Sequence, residues 1–208
     1  MAYLIDTGIL LRLVDVNDRD HLSVRTAVRF LGDQQEGLFI ATQNMAEFCN
    51  VTTRPIANNG LGLSPARAIE IFEADIEPIC AILSEVEAVY VELKRLIAKY
   101  AVTGKQVHDA RLVAMMLVWQ IENVLTHNDR DFRRYEQEGI HIITPSTLIN
   151  PAGCFSVNCL PPRATAGLPS SALPGLHLAA HPSVVFRYFE WHHYREDRRQ
   201  NHIHQSLI

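Results

Sequence analysis

The chain has 208 residues, 48% of them hydrophobic, and a formal net charge of −4; that suffices for one good core, or for a domain plus an appendage, of ordinary globular composition. No apolar run reaches the ~18–20 residues of a membrane span, and the start, MAYLIDTGILLRLVD, has no basic region ahead of its apolar stretch, which excludes a signal peptide. Four scattered cysteines (Cys49, Cys80, Cys154, Cys159) do not make a disulfide framework and point to a reducing, cytoplasmic setting.

In chain order, AYLID (2–6) reads as a short buried strand ending in an acid, followed by a helical turn in GILLRLVD. HLSVRTAVRFLGDQQ (21–35) is an amphipathic helix with Leu22, Ala27, Val28 and Leu31 on its apolar side, and Gly37 marks its stop. LFIAT (38–42) is a second strand, and NMAEFCNVTTR (44–54) a helix carrying Glu47. PIANNGLGL (55–63) is a loop, after which Ser64 caps a helix that has Pro65 in its first turn. SEVEAVYVELKRLIAKYAV (84–102) is a long helix broken at Thr103-Gly104, and QVHDARLVAMMLVWQ (106–120) a helix apolar on most sides and therefore buried. NVLT (123–126) is a strand, HNDRDFRRYE a loop with a short helix, and IHIIT (140–144) the last strand, ended by Pro145. This alternation predicts a three-layer α/β/α sandwich around a parallel sheet of four to five strands.

The character changes near residue 151. Residues 151–208 hold six of the ten prolines and six of the ten histidines, and they read as a largely unstructured C-terminal extension to a domain spanning residues 1–150. Cys154, Cys159, His192, His193, His202 and His204 do not follow zinc-finger spacing. Charge divides the same way. Residues 1–150 carry 14 Lys+Arg against 20 Asp+Glu, and residues 151–208 carry 5 against 3. An acidic domain is not a general nucleic-acid coater. It processes nucleic acid only with cations in its acidic pocket and a local basic patch, for which Lys94, Arg95, Lys99, Lys105 and Arg111 are candidates; a solvated helix face is an equally good reading of the same five.

Four acids carry the functional signal: Asp6, Glu47, Asp109 and Asp131. Asp6 closes the first strand, Glu47 falls about one turn into the helix after the second, Asp109 lies near the start of a helix, and Asp131 follows the fourth strand. In a parallel α/β sheet, reactive groups collect outside the C-terminal strand ends. Taken singly, each acid also has an ordinary explanation: a strand-end cap, a surface residue, a first-turn acid in the helix dipole, a solvated charge cluster with Asp129, Arg130, Arg133 and Arg134. Together they are hard oxygen donors whose mutual repulsion a Mg²⁺ or Mn²⁺ ion resolves, and such a site suits metal-assisted phosphodiester hydrolysis. His108, one residue before Asp109, is turned about 100° from it by the ~3.6-residue helical period and reads as structural.

The segments LIDTGILLRLVD, QNMAEFCNVTTRP, GKQVHDARLVAMM and LTHNDRDF resemble, in order, the motifs of the PIN-domain family, in particular VapC-type toxins of toxin–antitoxin pairs; the likeness covers roughly residues 2–147. It implies a metal-dependent endoribonuclease with Asp6, Glu47, Asp109 and Asp131 around one or two Mg²⁺ or Mn²⁺ ions, and RNA as substrate. Thr126 and Asn128 would orient the site, with Thr7 beside the first acid and Asp129, two residues before Asp131, either beside the fourth acid or in its place. The resemblance also implies a cognate antitoxin and a homodimer, and no membrane. Gly8 stands where the family commonly has Asn. A haloacid dehalogenase-like phosphatase would need an acid at that position, a receiver domain an acidic pair before Asp6. A PIN-fold binding module with weakened or no catalysis is the alternative that keeps the same acids.

Overall fold

The computed structural model describes residues 1–149; the predicted extension and its Cys and His residues lie outside the described residues. Five strands, β1 (Ala2–Ile5), β2 (Gly37–Ala41), β3 (Ala81–Leu83), β4 (Asn123–Leu125) and β5 (His141–Ile143), form one sheet in the order β3-β2-β1-β4-β5. Every neighbouring pair is parallel. The helices are α1 (Thr7–Val14), α2 (His21–Asp33), α3 (Thr42–Thr53), α4 (Pro65–Asp75), α5 (Glu87–Tyr100), α6 (Gln106–Val118), α7 (Asp129–Phe132) and α8 (Pro145–Ile149). The three-layer sandwich expected from the alternation of strands and helices is therefore present.

β1 explains why a parallel sheet reads as an unbroken apolar run. Tyr3 and Ile5 enter a core shared with α1, α2, α3 and α4, through Leu10, Val28, Phe48 and Phe72. Leu4 points the other way, into a core built with α5 and α6 through Val89, Leu96, Val113 and Met116. Each face thus has its own hydrophobic layer, and the central strands are covered on both sides. Phe48 and Phe72 meet edge to face at 5.3 Å and clamp α3 to α4; truncating either to alanine costs about 3–5 kcal/mol.

Several expectations are corrected. Leu22 does not belong to the buried face of α2, being 72% exposed, while His21 and Val24 are buried. His21 is drawn inward because its Nδ1 bonds the carbonyl of Arg12 at 2.8 Å. Gly37 does not stop α2; the helix ends at Asp33, Gln35 takes the left-handed conformation (φ 58°), and Gly37 opens β2. The strand β3 was not among the predicted elements, since three residues at a sheet edge are too few to show a period. The loop at 55–63 contains a short 3-10 turn at Ile56–Asn58. Ser64 caps α4 as expected, its Oγ accepting from the Arg67 amide at 3.2 Å with Pro65 in the first turn. α5 ends at Tyr100, where Ala101 takes a left-handed conformation (φ 47°), so Thr103-Gly104 lies beyond its end. Among the described residues, no helix is long and apolar enough to cross a membrane.

The proposed basic patch is also corrected. Arg95 bonds Glu92 and Glu138, Lys99 reaches Glu138 at 2.7 Å, and Arg111 pairs with Glu85. Lys94 sits over the Tyr90 ring at 4.4 Å. Four of the five cations therefore have partners of their own. This is the solvated, ion-paired face rather than a free strip for nucleic acid.

Candidate active site

The C-terminal ends of β1, β2 and β4 define one edge of the sheet. A helix returning antiparallel to these strands places its own N-terminus there, which brings the first turn of α6 to the same edge. Asp6 immediately follows β1 and occupies the N-cap position of α1, yet its side chain makes no capping hydrogen bond. Its carboxylate is turned to another partner: Thr126, just past β4, donates its hydroxyl to Asp6 Oδ2 at 2.7 Å. Thr126 is fully buried, and its Oγ1 in turn accepts from the Asn128 amide at 2.9 Å. Burial pushes the Asp6 carboxyl above its ordinary range; the Thr126 hydrogen bond pulls against this, and the charge of Glu47 pushes it further up.

Glu47 lies in the second turn of α3 and is held from two sides. Thr7 Oγ1 donates to its Oε2 at 2.7 Å, and Gln43 Nε2 donates to its Oε1 at 2.7 Å. Asn44 locks the turn beneath it. Its Oδ1 accepts from the Ala41 amide at 2.7 Å, while its Nδ2 donates to the Ile5 carbonyl at 3.2 Å and to Thr7 Oγ1 at 3.0 Å. The end of β1 and the start of α3 are thereby fixed to each other.

Asp109 lies in the first turn of α6. Burial and the charges of Asp6, Asp131 and Glu47 push its carboxyl up to about 7, against the attraction of Arg134. A helix N-terminus favours a negative charge, but desolvation and three like charges outweigh it here. Asp131, in α7, accepts from Asn128 Nδ2 at 2.6 Å. Asp129 pairs instead with Arg133 Nη2, also at 2.6 Å, while the charge of Asp131 raises Asp109.

The charges of Asp6, Asp131 and Glu47 thus all bear on Asp109, and Thr7, Thr126 and Asn128 each bond one of the predicted acids. Two buried amides were missed by the sequence reading, Gln43 and Asn44; their signal was a polar pair at the start of a helix whose neighbours are apolar, three and four residues before Glu47. His108 was read as structural, yet it is exposed and its Nδ1 stands 3.4 Å from Glu47 Oε1. The 100° turn separates it from Asp109 on α6 but aims it at the acid on α3. At Gly8, an added Cβ would meet Arg12 Nη1 at 3.3 Å and Asp6 Oδ2 at 3.5 Å; Arg12, which donates to the Gly8 carbonyl at 2.9 Å, borders the position.

Among the described residues, no three His, Cys, Asp or Glu side chains stand close enough together to form a ready-made set of ligands. Mg²⁺ does not need one: it keeps several waters and takes one or two carboxylates. Mutually repelling carboxylates, one of them held protonated up to about 7, are the chemistry such an ion relieves, and the residues fit it on that ground.

Comparison with solved structures gives 16% identity to VapBC-1 from nontypeable Haemophilus influenzae, over 70% of this chain and 99% of that one, at a TM-score of 0.48. FitAcB from Neisseria gonorrhoeae is likewise 16% identical over 70% and 99%, at 0.49. Mycobacterium tuberculosis VapC20, described as a Sarcin-Ricin loop cleaving toxin, is 12% identical over 67% and 96%, at 0.48. No curated protein matches the sequence. A model of the PIN domain matches residues 3–138, and the chain belongs to the PIN domain family.

Proposed function

We propose that this chain is a divalent-metal-dependent endoribonuclease, the toxin of a toxin–antitoxin pair, acting at the edge where β1, β2 and β4 end. The observation that carries the reading is the separate anchoring of three carboxylates there: Asp6 by Thr126, Glu47 by Thr7, and Asp131 by Asn128. Like charges are costly to hold together unless something positive joins them, and a fold that fixes each with its own donor is organised for a cation. Asp6, Glu47, Asp109 and Asp131 are the residues that would hold Mg²⁺ or Mn²⁺. When bound, the ion would polarise a phosphate oxygen and acidify a water.

The chain's own contribution is placement and charge. The donors from Thr7, Gln43, Thr126 and Asn128 orient the carboxylates, in keeping with the role of outer partners at metal sites. Asp109, which burial and then the charges of Asp6, Asp131 and Glu47 hold protonated up to about 7, would be deprotonated in the presence of a bound cation. Arg134, whose charge pulls Asp109 down, is suited to a backbone phosphate of the strand. Single-stranded or looped RNA suits an edge site of this kind. An antitoxin segment would compete for it by bringing a cation to the same acids, and a second copy of the chain is a further candidate partner.

Incubating the protein with labelled transfer, messenger and ribosomal RNA in Mg²⁺, in Mn²⁺ and in EDTA tests the reading. Cutting confined to the metal-containing samples is expected. Absence of cutting in all of them by folded protein would favour a binding module instead.

A further inference from the structure

Gln43 is buried, 5% exposed, and its single amide nitrogen serves two elements. It donates to Glu47 Oε1 at 2.7 Å on its own helix and to the carbonyl of His108 at 3.0 Å, 65 residues away in the first turn of α6. The two helices belong to different layers. Phe48 of α3 lies in the core with α1, α2 and α4, whereas the buried face of α6 lies in the core with α5. The sheet lies between these layers, and past its C-terminal edge Gln43 crosses from one to the other.

The amide has only one workable orientation, because both groups it faces are acceptors. Turning it over would set its oxygen against the Glu47 carboxylate and the His108 carbonyl. In the orientation held, Oε1 is buried without a hydrogen-bond partner. A buried polar atom without a partner is destabilising, and a methionine or leucine of similar size would avoid it. Packing alone thus does not account for a glutamine here.

We infer that Gln43 is a positioning residue that sets the spacing between Glu47 on one layer and Asp109 on the other, and with it the affinity of the site for a divalent cation. This rests on the metal-dependent reading proposed above. The residue touches neither substrate nor ion; it acts by fixing a carboxylate and the backbone one residue before another.

The test is Mn²⁺ binding without RNA, followed by the paramagnetic resonance of the free ion, for wild type, Gln43→Met and Gln43→Asn. Gln43→Met keeps the volume and removes both donated bonds; Gln43→Asn keeps the amide and the net charge but is one methylene too short to hold both partners. Affinity for Mn²⁺ is expected to fall about 10- to 100-fold in both, as for other losses of outer partners at metal sites. The thermal midpoint of Gln43→Met in EDTA is expected to fall, since two acceptors lose their donor, so affinity is read well below it, where a merely structural glutamine would leave binding unchanged. Wild-type binding with both variants within about twofold of it would overturn this inference and leave the metal reading intact. No Mn²⁺ binding by wild type would overturn both. Should Gln43→Met fail to fold, Gln43→Asn decides on the same scale.

Discussion

Thr126 donates its hydroxyl to Asp6 Oδ2 at 2.7 Å while its own oxygen accepts the Asn128 amide, so one buried hydroxyl joins the acid of β1 to the turn that carries Asp131. Thr126→Val keeps the shape and removes both interactions. The lost hydrogen bonds are expected to cost about 1–3 kcal/mol of stability, readable by chemical denaturation. The Asp6 carboxyl should rise further in a carbon-13 titration, because burial and Glu47 would act unopposed by the hydroxyl. A titration unchanged from wild type would show that the Thr126 bond does not bear on the charge of Asp6.

Asp109 makes the metal-free protein sensitive to pH. An ordinary aspartate titrates near 3.8, whereas this one is held up to about 7. Below 3.8 both folded and unfolded chains carry the proton. Between the two values only the folded chain does, so stability falls as pH rises through that window, and the loss is complete above about 7. In EDTA near pH 8, Asp109→Asn is therefore expected to be more stable than wild type, by about 2 kcal/mol once solvent screening of a half-buried group is allowed for. The gain should vanish near pH 4. A variant less stable than wild type at both pH values would contradict this.

Glu138 has the opposite sign. Hydrogen bonds from Arg95, then Lys99 and Tyr100, hold it down to about 2 from an ordinary 4.5, against the effect of burial. Its stabilisation is fully present above 4.5 and is lost as pH falls through about 2. Glu138→Gln is expected to cost about 1 kcal/mol at neutral pH, since the cations it meets are largely exposed. That cost should shrink toward zero in acid unfolding experiments near the lower value.

Gly8 lies inside α1 with ordinary helical backbone, so its flexibility lowers helix stability. Its nearest obstacle is the tip of Arg12 at 3.3 Å, the far end of a flexible side chain. Gly8→Ala is expected to raise stability by about 0.5 kcal/mol. A loss instead would mean that Arg12 cannot yield without giving up its bond to the Gly8 carbonyl, and thermal melts of Gly8→Ala and Arg12→Ala together would show whether the two are coupled.

The legibility of the fold varied with the length of the signal. α6 announced itself through thirteen residues apolar on most sides, and β1 through a continuous apolar run closed by an acid. β3 did not, because three residues at an edge, one of them half exposed, carry no period. Leu22 was misplaced because it sits in the first turn of α2, where the buried stripe begins with His21 through its bond to Arg12. Asp6 and Asp109 stood out because each lies at the start of a helix, and Glu47 because it is the one charged residue of α3. Gln43 did not, because it bonds a carbonyl 65 residues away, which no local pattern encodes. The fate of the basic residues was equally hidden: Arg95 and Lys99 are engaged by Glu138 through a contact between distant segments.

The most direct measurement is cleavage of a labelled structured RNA by wild type, Asp6→Asn and Asp109→Asn side by side, with and without divalent metal. Metal-dependent cutting by wild type and at least a ~100-fold loss in each variant are expected, in line with removal of a group that stabilises the transition state. Cutting that survives in both folded variants would show that these carboxylates are not where the reaction takes place.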